Sequence, residues 1–274
     1  MGTGLLPAQP PPNPKPSPRM AGHSHSSNIK HRKNAVDAKR AKIFNKIARN
    51  ILSAVRQSGP DIETNLKLKY ALEKARAANM PKDNVERVIK RGVGEKGGDA
   101  FEELTYEGYA PGGVALLVCC LTDNRSRTAP DVKFILEKNG GNLGAPGSVS
   151  FMFEFHSIFV VDMNPEDGEA VDEDKVMEVA LDAGAEDVSV EDGVATILAP
   201  PQDFLSVKAP LEAGGLVMLS SETGYIPQNT VEITSKDDAR KILKMIDALE
   251  DNDDVQSIYS NHDMPGEWIE ELLS

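Results

Sequence analysis

The segment Lys30-His31-Arg32-Lys33, followed by Lys39, Arg40, Lys42, Lys46 and Arg49, is the densest run of chemistry-bearing residues in the chain. Cations spaced along one side of an arm and helix neutralise phosphates and release condensed counterions. Phe44 is the one aromatic residue among them and it falls in an apolar stripe, so neither base stacking nor readout of base edges is indicated. The expected mode is contact with a sugar-phosphate backbone. A second pair, Arg125 and Arg127, lies in Asp123-Asn124-Arg125-Ser126-Arg127-Thr128, read as a polar loop running from a strand into a helix. Helix capping accounts for the Asp, Asn, Ser and Thr there but not for two arginines, which join the candidate nucleic-acid-binding set as a secondary contact.

Other residue patterns carry no reaction. His23, His25 and His31 have no Cys or carboxylate beside them to complete a metal shell. Cys119 and Cys120 are adjacent in an apolar stretch, where alternate side chains point to opposite faces, so they make neither a disulfide framework nor a metal-ligand spacing. Gly112-Gly113 and Gly140 to Ser148 match no phosphate-cradling fingerprint and read as turns. The carboxylates Glu166, Asp167, Glu169, Asp172, Glu173 and Asp174 form an exposed run with no nucleophile or base nearby. The expectation is a protein with no catalytic site, no metal and no cofactor.

Net charge sharpens the first reading. The chain of 274 residues carries a formal charge of −13, yet residues 20–96 hold 18 Lys/Arg against 7 Asp/Glu, while residues 97–274 hold 10 against 36. Such separation costs self-repulsion within each part and marks an electropositive module for a polyanion. The longest apolar run, Gly113 to Leu121, is about half of a bilayer span, so no membrane partner is expected, and the thiols suit a reducing cytoplasm.

The elements that must position these residues follow from periodicity. From Asp37 to Gln57, Ile43, Phe44, Ile47, Ile51, Leu52 and Val55 recur at three- and four-residue steps, leaving Lys39, Lys42, Lys46, Arg49 and Arg56 on the wet side. Helices about Asn65 to Ala78 and from Pro81 to a stop at Gly92 complete a small bundle. Their helix-turn-helix order permits a recognition helix, but a plain bundle corner is the better reading, because no Asn, Gln or Arg pattern singles out base edges. Strands follow at Tyr106–Tyr109, Val114–Leu121 and Ser148–Phe155, with a helix over Pro130–Lys138. From Ile158 to Leu219 the order is βαββαβ, the ferredoxin-like pattern. Strand Val231–Thr234, helix Asp237–Leu249, strand Val255–Tyr259 and a short amphipathic end carrying Trp268, Ile269 and Leu272 complete the chain. The fold expected is α+β: a Pro-rich disordered extension over 1–19, a basic helical domain over 20–97, an α/β domain over 98–156 plus 230–274, and an inserted βαββαβ domain over 157–229.

Ala21-Gly22-His23-Ser24, Asn28 to Lys33 and Asp37-Ala38-Lys39-Arg40 resemble the YebC family. So do Tyr106 to Gly113, Leu121 to Arg125, Gly140 to Leu143, Ala183 to Asp187 and Leu249-Glu250-Asp251, which together cover residues 20 to about 265 in one order. His25 and Ser26 stand where that family commonly has Lys and Trp, and the Pro-rich extension is extra. The resemblance implies three domains, a helical one and two ferredoxin-like α/β ones, acting without catalysis in gene expression. Bacterial members are labelled DNA-binding transcriptional regulators, while relatives include the mitochondrial translational activator of cytochrome oxidase subunit one. The expected function is therefore a DNA-binding transcriptional regulatory protein, with a ribosome- or rRNA-binding translation factor using the same surface as the alternative.

Overall fold

The computed structural model describes residues 40–94, 101–166, 169–191 and 193–273. The Pro-rich extension, His23 and His25, and the candidate residues Lys30, His31, Arg32, Lys33 and Lys39 lie outside that set.

Three helices form the first domain: α1 (Arg40–Ser58), α2 (Leu66–Ala77) and α3 (Lys82–Gly94). The apolar stripe of α1 buries Ile47, Ile51, Ala54 and Val55 against Leu68, Ala71 and Ala75 of α2, with Val85, Val88 and Ile89 of α3 closing the cluster. Asn65 joins α1 to α2. Its side-chain oxygen caps α2 by accepting from Leu68 N at 3.0 Å, and its amide donates to Ala54 O and Gly59 O at 2.8 and 2.7 Å. Gly92 does not stop α3 as its type suggested. The helix runs on to Gly94, and a Cβ at 92 would meet Val55 Cγ1 at 2.7 Å. The glycine there permits close helix packing instead.

The second domain is built on a sheet of order β3-β1-β2-β9, from β1 (Glu102–Ala110), β2 (Val114–Thr122), β3 (Asn142–Leu143) and β9 (Val255–Ser260). The β1–β2 hairpin turns through Pro111–Gly113, where φ is 77° at Gly112 and 79° at Gly113. The uninterrupted apolar run of β2 has a direct cause: both of its faces are covered. Val114, Leu116, Val118 and Cys120 pack under α4 (Arg125–Lys138) and α7 (Lys236–Glu250), whereas Ala115 and Leu117 pack with Val149, Phe153 and Tyr259. Trp268, on the terminal helix α8 (Gly266–Leu273), docks against the first of these clusters.

Between β3 and α7 the chain builds a second sheet. Its elements are β4 (Phe153–Asp162), α5 (Glu173–Asp182), β5 (Asp187–Glu191), β6 (Val194–Ala199), α6 (Phe204–Ala213) and β7 (Val217–Pro227), and its all-antiparallel order is β5-β6-β4-β7. This is the ferredoxin-like arrangement, with α5 and α6 packed on Phe159, Val161, Ala195 and Ile197. The second domain keeps the same layering but opens on a hairpin, so the strict ferredoxin-like order belongs to the inserted domain. After β7, a two-residue strand β8 (Val231–Glu232) pairs in parallel with β10 (His262–Asp263), and β9 completes the first sheet.

The structure redraws one strand. The two strands expected at 148–155 and 158–161 are a tight turn at Ser150–Met152 followed by the single strand β4. His156 and Ser157 fall between the two expected strands. Ser157 is instead fully buried opposite Ala199, and its hydroxyl donates to Pro200 O at 2.9 Å. A satisfied buried hydroxyl costs the ladder nothing.

Candidate nucleic-acid interface

The amphipathic design of α1 puts Lys42, Lys46 and Arg49 on successive turns of one side, at steps of four and three residues. They do not form an open strip. They meet the end of α7 and the turn into β9, where Glu250, Asp251, Asp253 and Asp254 follow one another closely. Carboxylates at a helix C-terminus add to the negative end of its dipole, and nearby cations offset that arrangement. Lys42 pairs with Asp251 at 2.7 Å, Lys46 donates to Glu250 O at 2.8 Å, and Arg49 donates to Asp253 O at 3.0 Å and to Asp254 Oδ1 at 2.6 Å. Asn50 adds a bond to Gln256 Oε1 at 3.0 Å.

Asp254 is the centre of this contact, its side chain only 4% exposed. Besides Arg49 it accepts from Arg127 Nη2 at 3.0 and 2.8 Å, from Thr128 Oγ1 at 2.8 Å and from Thr122 Oγ1 at 3.2 Å. Burial by itself raises this carboxyl, but the hydrogen bonds from Arg127, Arg49 and Thr128 outweigh it and hold the group below the usual carboxylate range. Burial pushes the Lys46 ammonium down, against the raising effect of Glu250, Asp253 and Asp251. Arg127 is shared further with Asp123 at 3.0 Å, and both carboxylates raise its guanidinium. One carboxylate thus ties the first domain, through Arg49, to the second, through Arg127.

The other candidates stand differently. Arg125 and Arg127, expected in a polar loop leading into a helix, occupy the first turn of α4 itself, because Asn124 caps it, accepting from Arg127 N at 3.1 Å. Arg125 is exposed, and Arg40 is exposed with its guanidinium 5.5 Å from the Phe44 ring centroid. Lys82, Arg87 and Lys90 of α3 are exposed as well, Arg87 donating to Asn84 Oδ1 at 3.4 Å. Residues 40–94 as a whole hold 13 Lys/Arg against 5 Asp/Glu.

Sequence reasoning named the cations and missed their partners. The signal was present in the motif Leu249-Glu250-Asp251 with Asp253 and Asp254 just beyond it: acids clustered at the wrong end of a helix need cations from elsewhere. Glu107 was missed in the same way. It is buried and accepts from the amides of Gly147, Val149 and Ser150 at 2.6, 2.7 and 2.8 Å, which explains the loop 144–150 as its binding nest rather than a phosphate cradle. Burial raises this carboxyl too, yet the three amides hold it below the usual range. Burial pushes the Cys120 thiol up to about 12, so it is no nucleophile at neutral pH. Among the described residues no cluster of His, Cys, Asp and Glu could hold a metal, and no helix is long and apolar enough to cross a membrane.

Comparison with known proteins places this arrangement in a family. Residues 24–95 match the family model described as the TACO1/YebC protein N-terminal domain, and residues 101–262 match that of the TACO1/YebC second and third domain. A protein of Halothermothrix orenii, named a probable transcriptional regulatory protein, is 49% identical over 253 residues, covering 92% of this chain and 99% of its own. A protein of Treponema pallidum with the same name is 48% identical over 250 residues, covering 91% and 100%. The crystal structure of a conserved hypothetical protein from Aquifex aeolicus superposes with a TM-score of 0.74 at 43% identity, over 84% of this chain and 93% of that one. The chain belongs to the TACO1/YebC family.

Proposed function

We propose that the protein is a non-enzymatic regulator of gene expression that docks on the phosphate backbone of a nucleic acid through its basic helical domain. The observation that carries this reading is that the domain keeps exposed cations, Arg40, Lys82, Arg87 and Lys90, after α1 has engaged Lys42, Lys46 and Arg49 with the body. Arg87 and Lys90 lie on the side of α3 opposite Val85, Val88 and Ile89, which pack inward. The candidate residues Lys30, His31, Arg32, Lys33 and Lys39 precede this domain's first helix in sequence and belong to the same proposed set. The names of the relatives favour transcription as the setting, in which DNA is the first polyanion to test. No Asn, Gln or Arg pattern on this surface singles out base edges, which suits structured RNA equally and keeps the ribosome as the second partner to test.

Fluorescence anisotropy with a labelled DNA duplex and a labelled RNA hairpin tests the mode. Affinity should fall steeply with salt. Lys82→Glu with Lys90→Glu should weaken binding by about tenfold or more and lower the salt slope by about two. An unchanged affinity rejects the surface. Sedimentation with ribosomal subunits that survives DNase favours translation, and its absence favours DNA.

A further inference from the structure

The cations of α1 are held by the protein itself in the way a phosphate chain would hold them. Lys42, Lys46 and Arg49 grip, in order, a carboxylate, a helix-end carbonyl and a buried carboxylate, all within the stretch Glu250 to Asp254. The corner occupies the donors of Lys46 and Arg49, so a phosphate competes with it for them. Among the described residues, further polar contacts join the first domain to the rest: Lys67 with Glu103 at 2.6 Å, Lys208 with Glu73 at 2.8 Å, and Asn50 with Gln256. Tyr70 against Phe204, with ring centroids 5.4 Å apart, is an apolar exception. Polar contacts of this kind between domains permit relative motion, and salt screens them.

We propose that the corner from Glu250 to Asp254 is an intramolecular mimic of a polyphosphate chain, which closes the inner face of α1 and is displaced when a nucleic acid binds. This rests on the phosphate-docking function proposed above and adds a closed state to it. In that state the corner engages neither Arg40 nor the exposed cations of α3, so first contact is made there. Full engagement then exchanges the Asp251 and Asp254 carboxylates and the Glu250 and Asp253 carbonyls for phosphates on Lys42, Lys46 and Arg49. A phosphate chain must break the whole set of corner contacts to gain these cations, so the exchange favours long polyanions that already occupy the outer surface over short or isolated phosphates.

The test uses the full chain and the same labelled duplex and hairpin. Asp251 and Asp253 are exposed, so Asp251→Asn with Asp253→Asn leaves the core intact. This variant should bind at least about fivefold more tightly than a control carrying Glu178→Gln and Asp182→Asn, two exposed acids of α5 that lose the same charge. Adding Lys42→Gln and Lys46→Gln should cancel the gain. Hydrogen exchange in α1 should change when the wild-type protein is saturated with the bound probe. Equal affinities for the corner variant and the control, or a gain that persists without Lys42 and Lys46, overturns the mimic while leaving the function standing. No binding of either probe by any variant at low salt rejects the function and the mimic with it.

Discussion

Asp254 shows how one side chain can carry both architecture and charge logic. Four side chains donate to it, two of them guanidinium groups from different domains, and breaking a buried pair costs more than forming it gains. Because Arg49 and Arg127 reach solvent, Asp254→Asn should cost about 1–3 kcal/mol rather than the full penalty of an isolated buried charge. Urea denaturation followed by Trp268, the sole tryptophan and a reporter of the second-domain core, measures it. The pH dependence has a fixed sign. The folded carboxyl lies below its unfolded value of about 3.9, so the stabilisation is fully present above that value and is lost as pH falls through the depressed one. The gap between wild type and variant should therefore stay constant from about pH 5 to 8 and close below about pH 4.

At the level of elements, periodicity carried most of the information. The stripe in α1, the βαββαβ order and α7 were legible because each apolar face repeats with the period of its own structure. What escaped were features decided by tertiary partners. Ser157 reads as a loop residue until Pro200 O supplies its acceptor, and Gly92 reads as a helix stop until Val55 occupies the space beside it. The candidate site followed the same rule: the cations were visible in the sequence, but the contact that closes over α1 joins residues about two hundred positions apart. Gly92 also yields a prediction whose sign depends on packing. Replacing a helical glycine by alanine ordinarily stabilises by about 1 kcal/mol. Here the new methyl meets Val55, so Gly92→Ala should destabilise by about 1–3 kcal/mol, and Val55→Ala in the same chain should recover part of the loss in a double-mutant cycle of denaturation midpoints.

Over the whole molecule, charge is divided between a basic helical domain and an acidic body, and four ion pairs among the described residues join the two. The Debye length shrinks to about 3 Å at 1 M salt, so the exposed pairs Lys42–Asp251 and Lys67–Glu103 weaken first, while the part-buried Arg49–Asp254 pair persists longest. Small-angle scattering should show the radius of gyration of the wild-type protein rising between about 0.05 M and 1 M salt, with Asp254→Asn expanding at lower salt. A radius unchanged across that range would make the interdomain contact rigid rather than electrostatic.

The return of β9 to the first sheet bears on the order in which the protein can be made. Strand β2, apolar on both faces, has β1 on one side and waits for Val255–Ser260 on the other. During synthesis the inserted domain emerges in full before that partner exists, so a nascent chain carries an unpaired greasy strand for more than a hundred residues of elongation. The acidic corner beside β9 arrives equally late. Until it does, the basic helices emerge first with Lys42, Lys46 and Arg49 unopposed by it, and the last tenth of the chain both seals the sheet and quiets the charge.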